Sequence, residues 1–135
     1  MRAILADNNI RGHVRALSLI LEGEDWREVW ASLGLSVLYL HDVGLVPTVS
    51  DAILWHTCQQ QQIVLLTTNR NALGPDSLEV TLRTHNKPDS LPVLTLADPD
   101  RVLHSRAYAE RVVERLLEYL IDMDNYRGTG RLYLP

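Results

Sequence analysis

The sequence has one cysteine and no long apolar run, and these two absences exclude several classes of protein. Cys58 has no second cysteine in the 135 residues, which excludes an intrachain disulfide and a four-sulfur metal site. No stretch approaches the roughly 20 apolar residues that a membrane-spanning helix needs. The first apolar run, residues 3–6, is too short for a signal peptide. We therefore expect a soluble, cytoplasmic protein.

The chain is also short of positive charge. Its 13 lysine and arginine residues are outnumbered by 17 aspartate and glutamate residues, which gives a formal net charge of −4. That balance argues against a broad basic face that grips duplex nucleic acid. It leaves open a small site that handles phosphates through a bound metal. Lys87 is the only lysine; arginine suits phosphate contacts, but a general preference for arginine codons is the better explanation of this count.

Familiar catalytic motifs are absent too. The chain has no P-loop, no GxSxG elbow and no GxGxxG after a strand. Cys58 is expected to be a small buried apolar residue. The histidines follow neither HxxxH nor HxH spacing, which argues against zinc; they are His13, His41, His56, His85 and His104.

What the sequence does contain is an alternation of apolar runs and helical patterns. The runs are residues 3–6, 35–40, 63–66 and 91–96. The third has no polar alternation, as expected of a parallel strand covered on both faces. The order β-α-α-β-α-β-α-β-α predicts an α/β fold, a three-layer α/β/α sandwich around a mainly parallel four-stranded sheet. The single domain is expected to span 1–122, and 123–135 is left as a frayed tail, an edge strand or a partner contact.

Caps and apolar stripes locate the helices. Ser50 is expected to cap a helix over 51–61 with Ile53 and Leu54 facing inward. Asp98 and Pro99 are expected to begin the longest helix. An apolar stripe predicts a further helix from about residue 10 to 21. Capping-box spacing predicts two more: Asp25 and Glu28 begin a helix that ends at about residue 32, and Asp76 and Glu79 begin one that ends at about residue 85.

Polar residues follow the predicted strands, where an open parallel sheet collects its ligands. Asp7 follows the first strand, residues 67–71 follow the third, and Asp51 opens the helix that precedes the third. Each has a structural alternative. Asp7 can cap the helix near residue 10, Asp51 suits a helix N-terminus, and Asn69 and Asn71 suit turns. His41 and Asp42, after the second strand, are better explained as solvent-exposed loop residues.

Three segments together resemble the PIN-like superfamily, most closely its short bacterial branch of largely uncharacterised proteins. They are ILADNN at 4–9, GLVPTVSDAIL at 44–54 and VLLTTNRN at 64–71. The branch typically reads LLDEN, then GLxxxSDxxIL, then LLTxDRDF. The resemblance covers residues 2 to about 96 and leaves out the helix from Asp98 and the tail.

The resemblance implies a fold related to metal-dependent ribonucleases, including the toxins of toxin–antitoxin pairs. It makes Asp7 and Asp51 ligands of Mg²⁺ or Mn²⁺, which would activate a water molecule and neutralise phosphate charge. Asn69 and Asn71 fall where the motif has two aspartates, and alanine at 72 replaces phenylalanine. They could act as neutral supplementary ligands or as donors to the substrate. Two fewer carboxylates predict weaker metal binding and weaker water activation.

Two functions are therefore expected as alternatives. One is a Mg²⁺- or Mn²⁺-dependent endoribonuclease of single-stranded RNA, with catalytic residues Asp7, Asp51, Asn69 and Asn71 and with an antitoxin as protein partner. Arg70 and Arg11, with Arg15 on the same helix face, are candidate phosphate contacts or else ordinary surface residues. The other is a catalytically inactive PIN-like protein with a binding or regulatory role. A homo-oligomer is compatible with either.

Overall fold

A computed structural model describes all 135 residues and shows five β-strands and six α-helices. None of the helices is both long enough and apolar enough to cross a membrane. The strands are β1 (Ala3–Ala6), β2 (Ser36–Leu38), β3 (Ile63–Thr67), β4 (Val93–Leu96) and β5 (Arg131–Leu134). The helices are α1 (Arg11–Leu21), α2 (Arg27–Leu33), α3 (Asp51–Gln61), α4 (Leu78–His85), α5 (Pro99–His104) and α6 (Arg106–Ile121), with short 3₁₀ helices at Leu40–Val43 and Met123–Tyr126.

The strands form one sheet in the order β2-β1-β3-β4-β5, and every neighbouring pair is parallel. Ile4 in β1 lies between Val37 of β2 and Val64 of β3 in the register. The prediction of an α/β fold with a parallel sheet is confirmed. The prediction of four strands is wrong, because residues 131–134 add a fifth strand beside β4.

Alternate residues of each strand face opposite sides of the sheet, and helices cover both sides. Ile4 and Ala6 belong to a cluster of 23 buried residues that includes side chains of α1, α5 and α6. Ala3 and Leu5 belong to a second cluster of 11 buried residues, which includes side chains of α3 and α4. The unbroken apolar run of β3 follows from this, since a strand covered on both faces has no side exposed to water.

The C-terminal segment 123–135 is held in the core by both of its ends. Met123 and Leu134 are buried in the larger cluster, and the segment between them passes close to the loop before β4. Gly128 has φ +86°, and a Cβ at this position would lie 2.8 Å from the carbonyl oxygen of Pro88. Only glycine permits this backbone angle and this close approach together. Residues 131–134 of this segment form an edge strand, which was one of the three alternatives.

The helix expected from Asp98 is broken at Ser105 into α5 and α6. Ser105 has extended backbone angles, φ −133° and ψ 109°, and its Oγ accepts a hydrogen bond from the backbone N–H of Tyr108 at 3.2 Å. A serine hydroxyl offers the backbone an alternative to continued helix, which is why it ends α5 and caps α6.

Two other helix starts differ from the sequence prediction, and one agrees with it. Ser50 caps α3 as expected, although Ile53 is 55% exposed and only Leu54 of the pair is buried. Ser77, and not Asp76, caps α4. The helix α2 begins after Trp26 with no side-chain cap, so the expected box at Asp25 is not formed. A capping box is defined by side-chain direction as well as spacing, and spacing alone misplaced these two starts.

Candidate functional site

The candidate residues lie at the carboxyl ends of β1 and β3, where the chain leaves the sheet toward opposite faces. The helix after β1, α1, packs in the larger cluster, whereas the helix after β3, α4, packs in the smaller one. The strand order turns at the same two strands, because β2 lies on one side of β1 and β3 on the other. Open α/β sheets form their ligand crevice at such a switch point. Asp7 follows β1, and Thr67 is the last residue of β3.

Asp7 is half-buried and bonded inside the site. Its Oδ2 accepts a hydrogen bond from Oγ1 of Thr67 at 2.6 Å, and its Oδ1 accepts one from the backbone N–H of Asn8 at 2.7 Å. Burial raises the pKa of Asp7 above its ordinary value, the nearby charge of Asp51 raises it further, and the two hydrogen bonds oppose the shift. Asp7 does not cap α1, whose N-cap is Ile10 with no side-chain bond. The capping alternative for Asp7 is therefore wrong.

Asp51 connects three segments of the chain. It is the first residue of α3, and its Oδ2 accepts hydrogen bonds from Nδ2 of Asn69 at 3.0 Å and from the backbone N–H of Leu78 at 3.1 Å. A carboxylate at a helix N-terminus is favoured by the helix dipole alone. Here it also fixes the loop after β3 and the first turn of α4.

Asn69 and Asn71 take different positions. Asn69 lies within the site, where its backbone N–H donates to Oγ1 of Thr67 at 2.9 Å and its Oδ1 accepts from the backbone N–H of Asn71 at 2.8 Å. Asn71 is exposed, and its Oδ1 accepts from the backbone N–H of Leu73 at 3.1 Å, as in an asparagine turn. The structure therefore brings Asn69 to Asp51 and uses Asn71 to shape the loop.

These bonds form one continuous chain, which we call the strand-end network: Asp7, Thr67, Asn69 and Asp51. Thr67 joins the two halves because its hydroxyl donates to Asp7 and accepts from the backbone of Asn69. The sequence placed Thr67 among the polar residues at the end of the third strand but gave it no catalytic or metal-binding role; its side chain is fully buried. The available signal was a hydroxyl residue that ends an otherwise apolar strand between two candidates.

The three candidate arginines do not converge. Arg70 points away from the network and donates from Nη2 to the carbonyl oxygen of Ala97 at 2.6 Å. Arg15 is exposed on α1. Arg11 lies beside Asp7, with its guanidinium carbon 4.3 Å from the ring centre of Tyr39. Of the three, Arg11 is the one that the structure places in a cleft with a network residue.

Arg131, which sequence reasoning missed, supports the network from the edge strand. Its Nη1 donates to Oγ1 of Thr95 at 2.6 Å and to the carbonyl oxygen of Asn69 at 2.9 Å. Its Nε donates to Oε1 of Glu79 at 2.7 Å. Nothing in the sequence near Arg131 connects it with Asn69, because the contact depends on β5 lying beside β4.

A cleft of about 340 Å³ opens beside Asp7, between the ends of β1 and β2. We call it the strand-end cleft; its polar and aromatic lining comes from Asp7, Asn8, Asn9, Arg11, Tyr39 and His41. The rings of Tyr39 and His41 are parallel within 1°, with their centres 6.4 Å apart. Asp51 lines a different, shallow depression with Asn71. The two carboxylates belong to one hydrogen-bonded network and to separate clefts.

The donor set does not fit the Mg²⁺ or Mn²⁺ centre that the resemblance implies. No three side chains among the aspartates, glutamates, histidines and cysteine lie close enough together to hold a metal. Hard cations need oxygen ligands that face one point. The amide of Asn69 instead presents its N–H to Asp51, and its oxygen is used by the backbone of Asn71. The four network residues satisfy one another through hydrogen bonds.

Comparison with known proteins adds no relative to this description. No protein-family model, no curated protein and no solved structure matches the chain. The resemblance to the PIN-like superfamily therefore rests on the three sequence segments.

Proposed function

We propose that this protein is a PIN-like domain, related to divalent-metal-dependent endoribonucleases, that binds single-stranded RNA without hydrolysing it. The proposal includes the three-layer α/β/α sandwich of that superfamily. The proposed loss of hydrolysis rests on one contact, in which Nδ2 of Asn69 donates a hydrogen bond to Oδ2 of Asp51 at 3.0 Å. The motif of the PIN-like branch has an aspartate at the position of Asn69, and here an N–H donor stands in its place.

Loss of hydrolysis follows from the chemistry of this contact. Metal-dependent cleavage needs a cation that activates water and neutralises charge on the phosphate. In this chain Oδ2 of Asp51 already accepts two N–H donors, and the oxygen of Asn69 already accepts one. A cation would have to displace these bonds while gaining only two carboxylates, Asp7 and Asp51. The network is therefore better suited to holding the loop after β3 than to holding a metal.

The strand-end cleft supports RNA as the ligand. Single-stranded RNA is recognised by stacking of its bases on aromatic rings and by arginine contacts to phosphate. The rings of Tyr39 and His41 line the cleft, and the guanidinium of Arg11 lies over the Tyr39 ring. The oxygens of Asp7 and Asn8 can accept from a ribose hydroxyl. The net charge of −4 favours a short footprint of this kind over a long duplex.

Binding and cleavage of a fluorescein-labelled single-stranded RNA test the proposal, by anisotropy and by gel, in EDTA and in Mn²⁺. We expect binding in both buffers and cleavage in neither. Tyr39→Ala should weaken binding about tenfold, the amount that loss of one stacked base costs. Tyr133→Ala is the matched control, because Tyr133 is 48% exposed at the sheet edge and lies outside the cleft; it should leave binding unchanged.

Two outcomes would contradict the proposal. Mn²⁺-dependent cleavage by the unmodified protein, abolished by Asp7→Asn, would identify an active endoribonuclease of the kind found in toxin–antitoxin pairs. Absence of RNA binding in both buffers would remove RNA as the ligand. Calorimetric titration with Mn²⁺ of the unmodified protein and of Asp7→Asn separates the two parts of the proposal, since we expect no heat of Mn²⁺ binding at millimolar concentration that the substitution removes.

A further inference from the structure

We propose that His56 and His85 form a binding site for one divalent transition-metal ion, with Zn²⁺ as the expected ion. His56 lies on α3 and His85 is the last residue of α4, so the fold brings together two histidines that are far apart in the sequence. The site is separate from the strand-end network. Its cleft includes Gln62 and Ser90, which lie just before β3 and β4, at the opposite ends of the strands from Asp7 and Thr67.

The spacing of the two imidazoles is the first argument. Their ring centres lie 4.9 Å apart, with the ring planes at 68° to each other. Two imidazoles that bind one zinc ion at 2.0–2.1 Å, with a tetrahedral angle between them, have ring centres about 5 Å apart. The ring centres therefore already lie at about the separation that a shared ion requires, and the rings would turn from this edge-to-face arrangement so that one nitrogen of each faces the ion.

The surroundings of the pair are the second argument. The two rings line a cleft of about 470 Å³ in which Trp55 is the only hydrophobic residue. No third aspartate, glutamate, histidine or cysteine joins the pair, and Lys87 lines the same cleft, so water molecules must complete the coordination; both histidines are exposed to them. Trp55 packs edge-on against His56, with ring centres 5.0 Å apart, and is only 3% exposed. This contact places a buried indole next to one of the two proposed ligands.

The ligand type selects the ion. Imidazole nitrogen suits Zn²⁺, Cu²⁺ and Ni²⁺, whereas Mg²⁺ requires oxygen ligands. Cys58 is buried in the core and does not line the cleft. Histidine spacing in the sequence argued against zinc because HxxxH and HxH detect ligands on one element only. His56 and His85 lie on two neighbouring helices, which no local spacing describes.

Calorimetric titration of the full chain, purified without a histidine tag, tests the site with ZnCl₂. We expect one Zn²⁺ per chain, and affinity at least about tenfold lower in His56→Gln and in His85→Gln. His104→Gln is the matched control. His104 is also exposed and lies at the end of a helix, but its Nδ1 is hydrogen-bonded to the backbone carbonyl oxygen of Asp100. This variant should bind Zn²⁺ like the unmodified protein. MgCl₂ should give no heat that depends on His56 or His85.

A second readout uses Trp55. Cu²⁺ binds such ligands more tightly than Zn²⁺ and quenches a nearby indole, so it should reduce the fluorescence of the unmodified protein and not that of the double variant His56→Gln, His85→Gln. Circular dichroism of each variant checks that it is folded. Equal Zn²⁺ affinity in the variants, or no Zn²⁺ binding by the unmodified protein, would overturn the proposal. Neither result bears on the RNA binding measured in EDTA, where no metal is available to the histidines.

Discussion

Asn69 donates a hydrogen bond from Nδ2 to Oδ2 of Asp51 across 3.0 Å and thereby ties the loop after β3 to the first turn of α3. The same carboxylate oxygen accepts the backbone N–H of Leu78 at the start of α4. One aspartate thus organises three segments, and it does so because the residue opposite it is an amide. Replacing that amide by a carboxylate is the most direct test of the site.

Asn69→Asp should destabilise the protein in EDTA by about 1–3 kcal/mol, because Asp51 loses an N–H donor and gains a nearby negative charge. Millimolar Mg²⁺ should restore part of this loss, since a cation can take the place of the donor. Thermal unfolding in the two buffers measures both effects. Asn71→Asp is the control: Asn71 is exposed and its Oδ1 only accepts from Leu73, so its substitution should change stability by less than about 0.5 kcal/mol. Equal stability of Asn69→Asp and the unmodified protein in EDTA would show that the contact contributes nothing.

The raised pKa of Asp7 predicts a particular pH dependence of stability. Desolvation by burial makes the folded protein bind this proton more tightly than the unfolded chain does. Folding is therefore favoured most below the ordinary pKa of an aspartate, and that advantage is lost as the pH rises through the raised value. At neutral pH the charge on Asp7 opposes folding.

Asp7→Asn removes this titration. The free energy of unfolding of the variant minus that of the unmodified protein should rise as the pH increases from the ordinary pKa of an aspartate to the raised pKa of Asp7, and then become constant. Urea unfolding at a series of pH values gives the difference directly. Asp25→Asn, at an exposed site far from the network, is the control for general effects of charge. A difference that falls with increasing pH would contradict the burial of Asp7.

Gly128→Ala should destabilise the protein strongly. Its Cβ would lie 2.8 Å from the carbonyl oxygen of Pro88, at a backbone angle of φ +86°. Gly74 has nearly the same angle, φ +87°, and a Cβ there would have no atom within 4 Å, so Gly74→Ala measures the backbone strain alone. We expect Gly128→Ala to cost at least about 1 kcal/mol more than Gly74→Ala in thermal unfolding. Similar losses in the two variants would mean that the C-terminal segment adjusts freely.

The elements that local chemistry specifies were predicted well from the sequence. All five residues of β3 are buried, and an apolar run without alternation is the direct sign of such a strand. Ser50 begins α3 at the expected residue because its cap bond spans only three residues. The predictions failed at Ser105 and at β5. A serine within an apolar stripe is compatible with a continuous helix, and a four-residue strand after two glycines forms only because β4 is there to pair with it.

The candidate site was predictable in outline and not in detail. The rule that ligands bind at the carboxyl ends of parallel strands correctly predicted that Asp7 and the loop after β3 lie at the same end of the sheet. It could not give the contact between Asn69 and Asp51, because this depends on how α3 packs against a loop that has no regular structure. Nor could it separate Asn69, which reaches Asp51, from Asn71, which turns outward. Those differences arise from side-chain directions within five residues of chain.

Arg131 gives the edge strand an importance that its four residues do not suggest. Its guanidinium holds the carbonyl oxygen of Asn69 from within β5. Opening the pair β4–β5 would therefore also break a contact that holds the loop after β3. The free energies of these two local openings are linked, so a change at either place affects the other. The edge strand β5 thus supports a loop that it does not adjoin in sequence, and the rigidity of the site depends on four of the five strands, from β1 across to β5.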